Sequence, residues 1–229
     1  MSPTPHHAPA DEADPALPGP ASPASGLVLR GVTKRFGRRT IVQDVDLRLE
    51  PGEVLALVGP NGTGKTTLMR MMAGALEPDA GTVTWCGRPV DEADPWLRAQ
   101  VAALLDDTGT FPDLSVAEHL ELLARAFALD EPTARVGSVL DDVGLSGRGA
   151  QLPATLSSGQ RHRLALASVL VRPAALVLLD EPEQRLDVAG RAWLADRLTA
   201  LAADGAAVVL VSHDDGLVEQ VADLLLDLG

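Results

Sequence analysis

The octapeptide Gly59-Pro60-Asn61-Gly62-Thr63-Gly64-Lys65-Thr66 constrains this chain more than any other stretch. It spells G-x-x-x-x-G-K-T, a phosphate-binding P-loop, between an apolar strand-like run (Val54–Val58) and a helix-like run (Thr67–Ala73). Lacking Cβ atoms, Gly59, Gly62 and Gly64 let the backbone around Asn61 turn its N–H groups inward as an anion nest. Lys65 is spaced to reach β- and γ-phosphate oxygens and the Thr66 hydroxyl to bind Mg²⁺. The helix continuing through Thr67 turns its N-terminus toward the anion. At average composition such a match arises by accident in roughly one chain in a hundred of this length. Only two lysines occur, Lys34 and Lys65, and one stands where a P-loop requires it. The chain therefore reads as nucleotide-binding.

A strand–loop–helix unit implies a sheet around it, and 229 residues suffice for one substantial α/β domain, or one domain with a small subdomain. The partners are narrowed by charge. A formal net charge of −13 argues against nucleic acid and against unaided binding to an anionic membrane surface. No apolar run approaches the length of a membrane span, and the N-terminus lacks the basic and apolar regions of a signal peptide. The lone Cys86 has no partner for an internal disulfide, which fits a reducing compartment.

Residues 1–25 are rich in Pro and Ala, carry no Lys or Arg, and are expected to form a disordered tail in which His6 and His7 are simply solvated. From Gly26, the stretches Leu27–Arg30 and Ile41–Leu49 alternate apolar and polar residues as half-buried antiparallel strands, with Phe36 in the connection between them. In a chain with no Tyr and three Phe, that ring is a candidate to stack on a base, with plain packing as the alternative. Strands are expected at Thr82–Trp85 and Val101–Leu105. Ser115-Val116-Ala117-Glu118 then reads as a capping box opening a helix to about Leu129, and a second helix covers about Ala134–Val143. These make a small helical insert.

Ser157 is a natural N-cap for the periodic run that reaches Val171, so Ser157, Ser158, Gly159 and Gln160 sit at a helix start. Leu176-Val177-Leu178-Leu179-Asp180-Glu181 is a buried strand ending in two carboxylates. In a P-loop protein the first holds Mg²⁺ and the second can act as a base on water. A helix over about Val188–Ala203, a strand Ala207–Val211 running into Ser212-His213-Asp214, and a last helix and strand complete the pattern. Alternating strands and helices predict an α/β fold with a mostly parallel sheet covered by helices.

These motifs together resemble the ATP-binding cassette (ABC) family, as the nucleotide-binding subunit of a transporter. The resemblance covers about residues 27–229, in the order P-loop, Leu156–Gln160 signature, Leu176–Glu181, Leu186-Asp187 and His213. It implies a P-loop NTPase core with an N-terminal antiparallel β subdomain and a helical subdomain at about residues 115–160. It implies ATP and Mg²⁺ as cofactors and two cassettes, as a homodimer or alternatively a heterodimer, closing head to tail around two ATP. It also implies a permease on a separate chain, so that the subunit is cytoplasmic and peripheral to the membrane.

In that picture Asp180 and Thr66 bind Mg²⁺, Glu181 polarises the attacking water and His213 contacts the γ-phosphate. Phe36 stacks on adenine, Ser157–Gln160 meet the partner's nucleotide, and Asp187 couples the two sites. The residue where the family carries a metal-approaching glutamine is Asp106, followed by Asp107. It is expected to remain a Mg²⁺ ligand and to slow turnover, or to make it more Mg²⁺-dependent. Glu183-Gln184-Arg185 replaces the small or neutral residues usual before Leu186-Asp187, and is expected to place charges at the cassette interface.

An export transporter is the favoured reading. A soluble ABC ATPase acting on ribosomes or DNA would bring two cassettes, long coiled-coil insertions or a basic surface. A P-loop kinase leaves the signature and the Glu181–His213 pair unexplained.

Overall fold

A computed structural model describes residues 26–105 and 109–229. The tail expected at residues 1–25, and Asp106 and Asp107, lie outside the described residues.

Two sheets organise the chain. The first is antiparallel, built from β1 (Leu27–Phe36), β2 (Arg39–Leu49), β4 (Ala80–Trp85) and the short β5 (Arg88–Pro89), in the order β2-β1-β4-β5. The second is parallel, built from β3 (Val54–Val58), β6 (Val101–Leu104), β7 (Leu176–Asp180), β8 (Ala207–Val211) and β9 (Leu224–Asp227), in the order β6-β7-β8-β3-β9. Apart from Asp180 at the end of β7, its inner strands are Val/Leu/Ala runs because both faces are covered.

The helices are α1 (Lys65–Met72), α2 (Pro95–Gln100), α3 (Val116–Ala126), α4 (Pro132–Asp142), α5 (Ser158–Leu170), α6 (Val188–Ala203) and α7 (Asp215–Val221). Helix α1 is buried between the sheets, where Leu68, Met69, Met71 and Met72 join Leu27, Leu29, Leu49 and Trp85 in one core. A second core lies on the other face of the parallel sheet under α6 and α7. A third joins α3, α4 and α5 through Val116, Leu120, Val139, Leu140 and Leu164. Arg172 ties this third group to the rest. Its guanidinium stacks 3.8 Å from the Phe127 ring centroid and donates to the carbonyls of Arg98, Ala99 and Val101.

Two sequence expectations change. Strand β1 extends to Phe36, so the connection to β2 shrinks to Gly37-Arg38 and Phe36 is the last residue of a strand rather than part of a loop. Register irregularities between Leu29 and Arg35 break the strict alternation along β1. One of them allows the close approach of β4, where a Cβ on Gly81 would lie 2.4 Å from the Arg30 and Gly31 carbonyl oxygens. Helix α2 is an addition, with Asp94 accepting from Trp96 N as its N-cap and proline at its start.

Candidate nucleotide-binding and catalytic site

The end of β3 and the start of α1 enclose the P-loop. Gly59, Gly62 and Gly64 all have positive φ (128°, 82° and 105°), the backbone an inward-facing nest needs. Gly64 has a second reason to be glycine, since a Cβ there would sit 2.9 Å from Ile41 O of β2. The antiparallel sheet therefore presses on the phosphate loop directly. Lys65 is buried, and its ammonium lies across the loop, donating to Gly59 O (2.7 Å) and Pro60 O (3.0 Å).

Asp180 ends β7 beside the loop and accepts from the Thr66 hydroxyl, with Thr66 Oγ1 2.6 Å from Asp180 Oδ2. Among the described residues no group of three or more His, Cys, Asp or Glu could cage a metal. One hydroxyl and one carboxylate suit Mg²⁺ well, because that ion completes its octahedron with phosphate oxygens and waters. A cavity of about 370 Å³ is lined by Phe36, Ile41, Asn61, Gly62, Gly64, Lys65, Thr66, Thr67, Asp180 and Glu181. Phe36 is half-exposed at its rim, with the Lys34 ammonium 5.9 Å from the ring centroid. The ring that sequence singled out thus stands beside the P-loop.

Glu181 follows Asp180 with φ 51°, a left-handed conformation that is costly for a residue with a Cβ. Its amide donates to Val211 O (2.8 Å), which locks the turn to the end of β8. That strained turn aims the carboxylate across to His213, with Oε1 3.3 Å from Nε2, while Oε2 accepts from the Gln184 amide. A carboxylate that borders the Thr66–Asp180 pair and contacts an imidazole is positioned to orient water at the end of a phosphate chain.

The remaining expected residues divide. Ser157 and Gln160 form a reciprocal capping box at the start of α5, Ser157 Oγ accepting from Gln160 N and Gln160 Oε1 from Ser157 N. Ser158 lines an adjoining cavity with Thr66, Asp180 and Glu181, whereas Ser157, Gly159 and Gln160 line neither cavity. Asp187 caps α6 by accepting from Gly190 N and lies 3.5 Å from the Arg163 guanidinium, away from the P-loop cavity.

Glu183 overturns an expectation. It is buried rather than presented at an interface, and its Oε1 accepts from Ser212 Oγ (2.7 Å) and His213 N (3.0 Å). In sequence Glu183 is one of three adjacent polar residues, Glu183-Gln184-Arg185, and nothing marks it as the one that folds inward. His162 of α5 was also missed; its Nε2 lies 2.9 Å from Pro182 O, so the signature helix touches the loop that carries Glu181. Spacing four residues past the helix start is the signal that puts it on the inward face.

A family model described as ABC transporter matches residues 42–184, spanning the P-loop, the α5 start and the Asp180–Glu181 pair. A Nod factor export ATP-binding protein I of Cupriavidus pinatubonensis is 37% identical over 199 residues, 86% of this chain and 61% of that protein. A spermidine/putrescine import ATP-binding protein PotA of Pseudomonas aeruginosa is 40% identical over 193 residues, 83% of this chain and 53% of that protein. The chain thus spans little more than half the length of these curated relatives. A solved structure described as the ATP-binding subunit of an ABC transporter superposes with a TM-score of 0.81 at 26% identity, covering 89% of this chain and 85% of that one. With more than half its length inside the family model and the fold shared, the chain belongs to the ABC transporter family.

Proposed function

We propose that this chain binds ATP with Mg²⁺ and hydrolyses it as the energy-coupling subunit of a transporter, driving a permease carried on a separate polypeptide. The observation that carries the reading is that Lys65, Thr66, Asp180 and Glu181 line one cavity, with His213 Nε2 3.3 Å from Glu181 Oε1. The P-loop amides and Lys65 bind the β- and γ-phosphates and hold the chain of phosphates in line. Thr66 and Asp180 would hold Mg²⁺, which neutralises charge on the phosphate oxygens when bound. Glu181 orients the attacking water and accepts its proton, and His213 steadies the γ-phosphate end. Phe36 offers a ring face to the adenine.

Ser157–Gln160 supply donors to the nucleotide held by a second cassette, since three of these four line neither cavity on their own chain. The α3–α4 insert, with the half-exposed Phe111 just before it, is the face we assign to the permease. No described helix is long and apolar enough to cross a membrane. Export is the direction we favour, on the ordinary-length helical insert. Relatives of comparable similarity carry names of both directions.

The test is steady-state phosphate release by the purified chain and its Glu181→Gln variant. The variant should lose turnover by about two orders of magnitude or more while still binding ATP with Mg²⁺. Full turnover in Glu181→Gln would sink the mechanism. Vesicles carrying the chain with its permease then decide direction by whether ATP outside drives cargo in or out.

A further inference from the structure

Resting on the role given to His213, we infer that Glu183 is a positioning residue for that histidine. Its carboxylate lies under the turn that follows β8. Oε1 receives both the Ser212 hydroxyl (2.7 Å) and the His213 amide (3.0 Å), and Ser212 Oγ in turn accepts from Asp214 N (3.0 Å). One buried oxygen therefore fixes three consecutive residues of the turn, whose next element, α7, is capped by Asp214. The backbone amide of His213 is held from below while its imidazole faces Glu181 from above, 3.3 Å away. Glu183 and Glu181 belong to the same short loop. The two partners of the Glu181–His213 contact are thus set by one rigid junction, Glu181 through its bond to Val211 O and His213 through Glu183.

The cost of this arrangement is visible. Glu183 Oε2 is buried without a hydrogen-bond partner among the described residues, a placement that a merely structural acceptor such as serine or asparagine would avoid more cheaply. A long side chain is needed because the acceptor must reach across from the β7 end to the β8 end.

The double-mutant cycle of Glu183→Ala with His213→Ala, read in kcat and KM of ATP turnover by the full chain, tests this. Glu183→Ala alone should lower kcat about tenfold with KM for ATP little changed, as expected for loss of a hydrogen bond to a charged acceptor. In the His213→Ala background the same substitution should change kcat by less than about twofold, because its effect passes through the missing imidazole. Glu183→Gln, which keeps an acceptor oxygen at the same reach, should restore most of kcat.

An equal loss in both backgrounds would overturn the inference and leave the proposed site intact. So would wild-type kcat in Glu183→Ala. A His213→Ala variant with wild-type turnover would overturn the role of His213 itself, and the inference with it. Should Glu183→Ala not fold, Ser212→Ala removes one of the same bonds from the opposite side and carries the same cycle.

Discussion

At the scale of single residues, the site separates groups whose chemistry is fixed by spacing from groups whose chemistry is fixed by where a chain happens to fold. Gly59–Thr66 and Asp180–Glu181 belong to the first kind: nest, ammonium, hydroxyl and carboxylates are all legible because phosphate chemistry demands them in order. Glu183 belongs to the second. In sequence it is one of three adjacent polar residues, and nothing in its neighbours distinguishes the buried acid from the exposed Gln184 and Arg185. Phe36 lies between these cases, chosen for its rarity and found beside the P-loop, but at a strand end rather than in a loop. Its half-exposed ring has little packing to lose. Phe36→Ala should therefore raise KM for ATP several-fold, up to about tenfold, with kcat and thermal midpoint nearly unchanged. A large drop in midpoint instead would show the ring to be a packing residue.

At the scale of elements, the ends of helices were easier to read than irregular strands. The capping boxes at Ser115–Glu118 and Ser157–Gln160 both form, because a serine and an acid or amide three residues later satisfy two orphan amides locally, whatever the tertiary context. Strand β1 was read short because its bulges depend on β2 and β4, which lie far along the chain.

Helix α3 also carries a pH dependence. His119 is buried with Nε2 3.1 Å from Ser168 Oγ and Nδ1 without a partner among the described residues, and burial pushes its pKa below the usual 6.5. The unfolded chain then binds a proton that the folded chain refuses, so stability is full above about pH 6.5 and is lost as pH falls through that value toward the folded pKa. His119→Gln should flatten the thermal midpoint between pH 7 and roughly pH 5 relative to wild type. An unchanged slope would assign the acid sensitivity elsewhere. Arg172 makes a companion prediction: Arg172→Lys keeps the charge but loses the planar stack on Phe127 and the fork onto three carbonyls. It should lower stability by about 1–3 kcal/mol in denaturant titration.

At the scale of the whole molecule, charge and the placement of α5 bear on the same event. Each chain carries a formal −13, so two copies approaching each other repel at long range. The inward turn of Glu183 removes one of the charges that sequence placed at their meeting surface, leaving fewer groups to make matched pairs across it. In the proposed dimer, closure then rests on short-range contacts, chiefly the α5 N-termini meeting bound nucleotide, with long-range repulsion opposing it. For the Glu181→Gln chain with ATP and Mg²⁺, sedimentation should show a dimer that tightens as salt rises from about 50 to 300 mM, because the Debye length shrinks over that range and screens the repulsion. Ser158→Arg, which puts bulk and charge at the α5 start, should abolish the dimer. A dimer that weakens with salt would show that attractive ion pairs across the interface outweigh the net charge. A dimer that survives Ser158→Arg would place the contact somewhere other than this helix start.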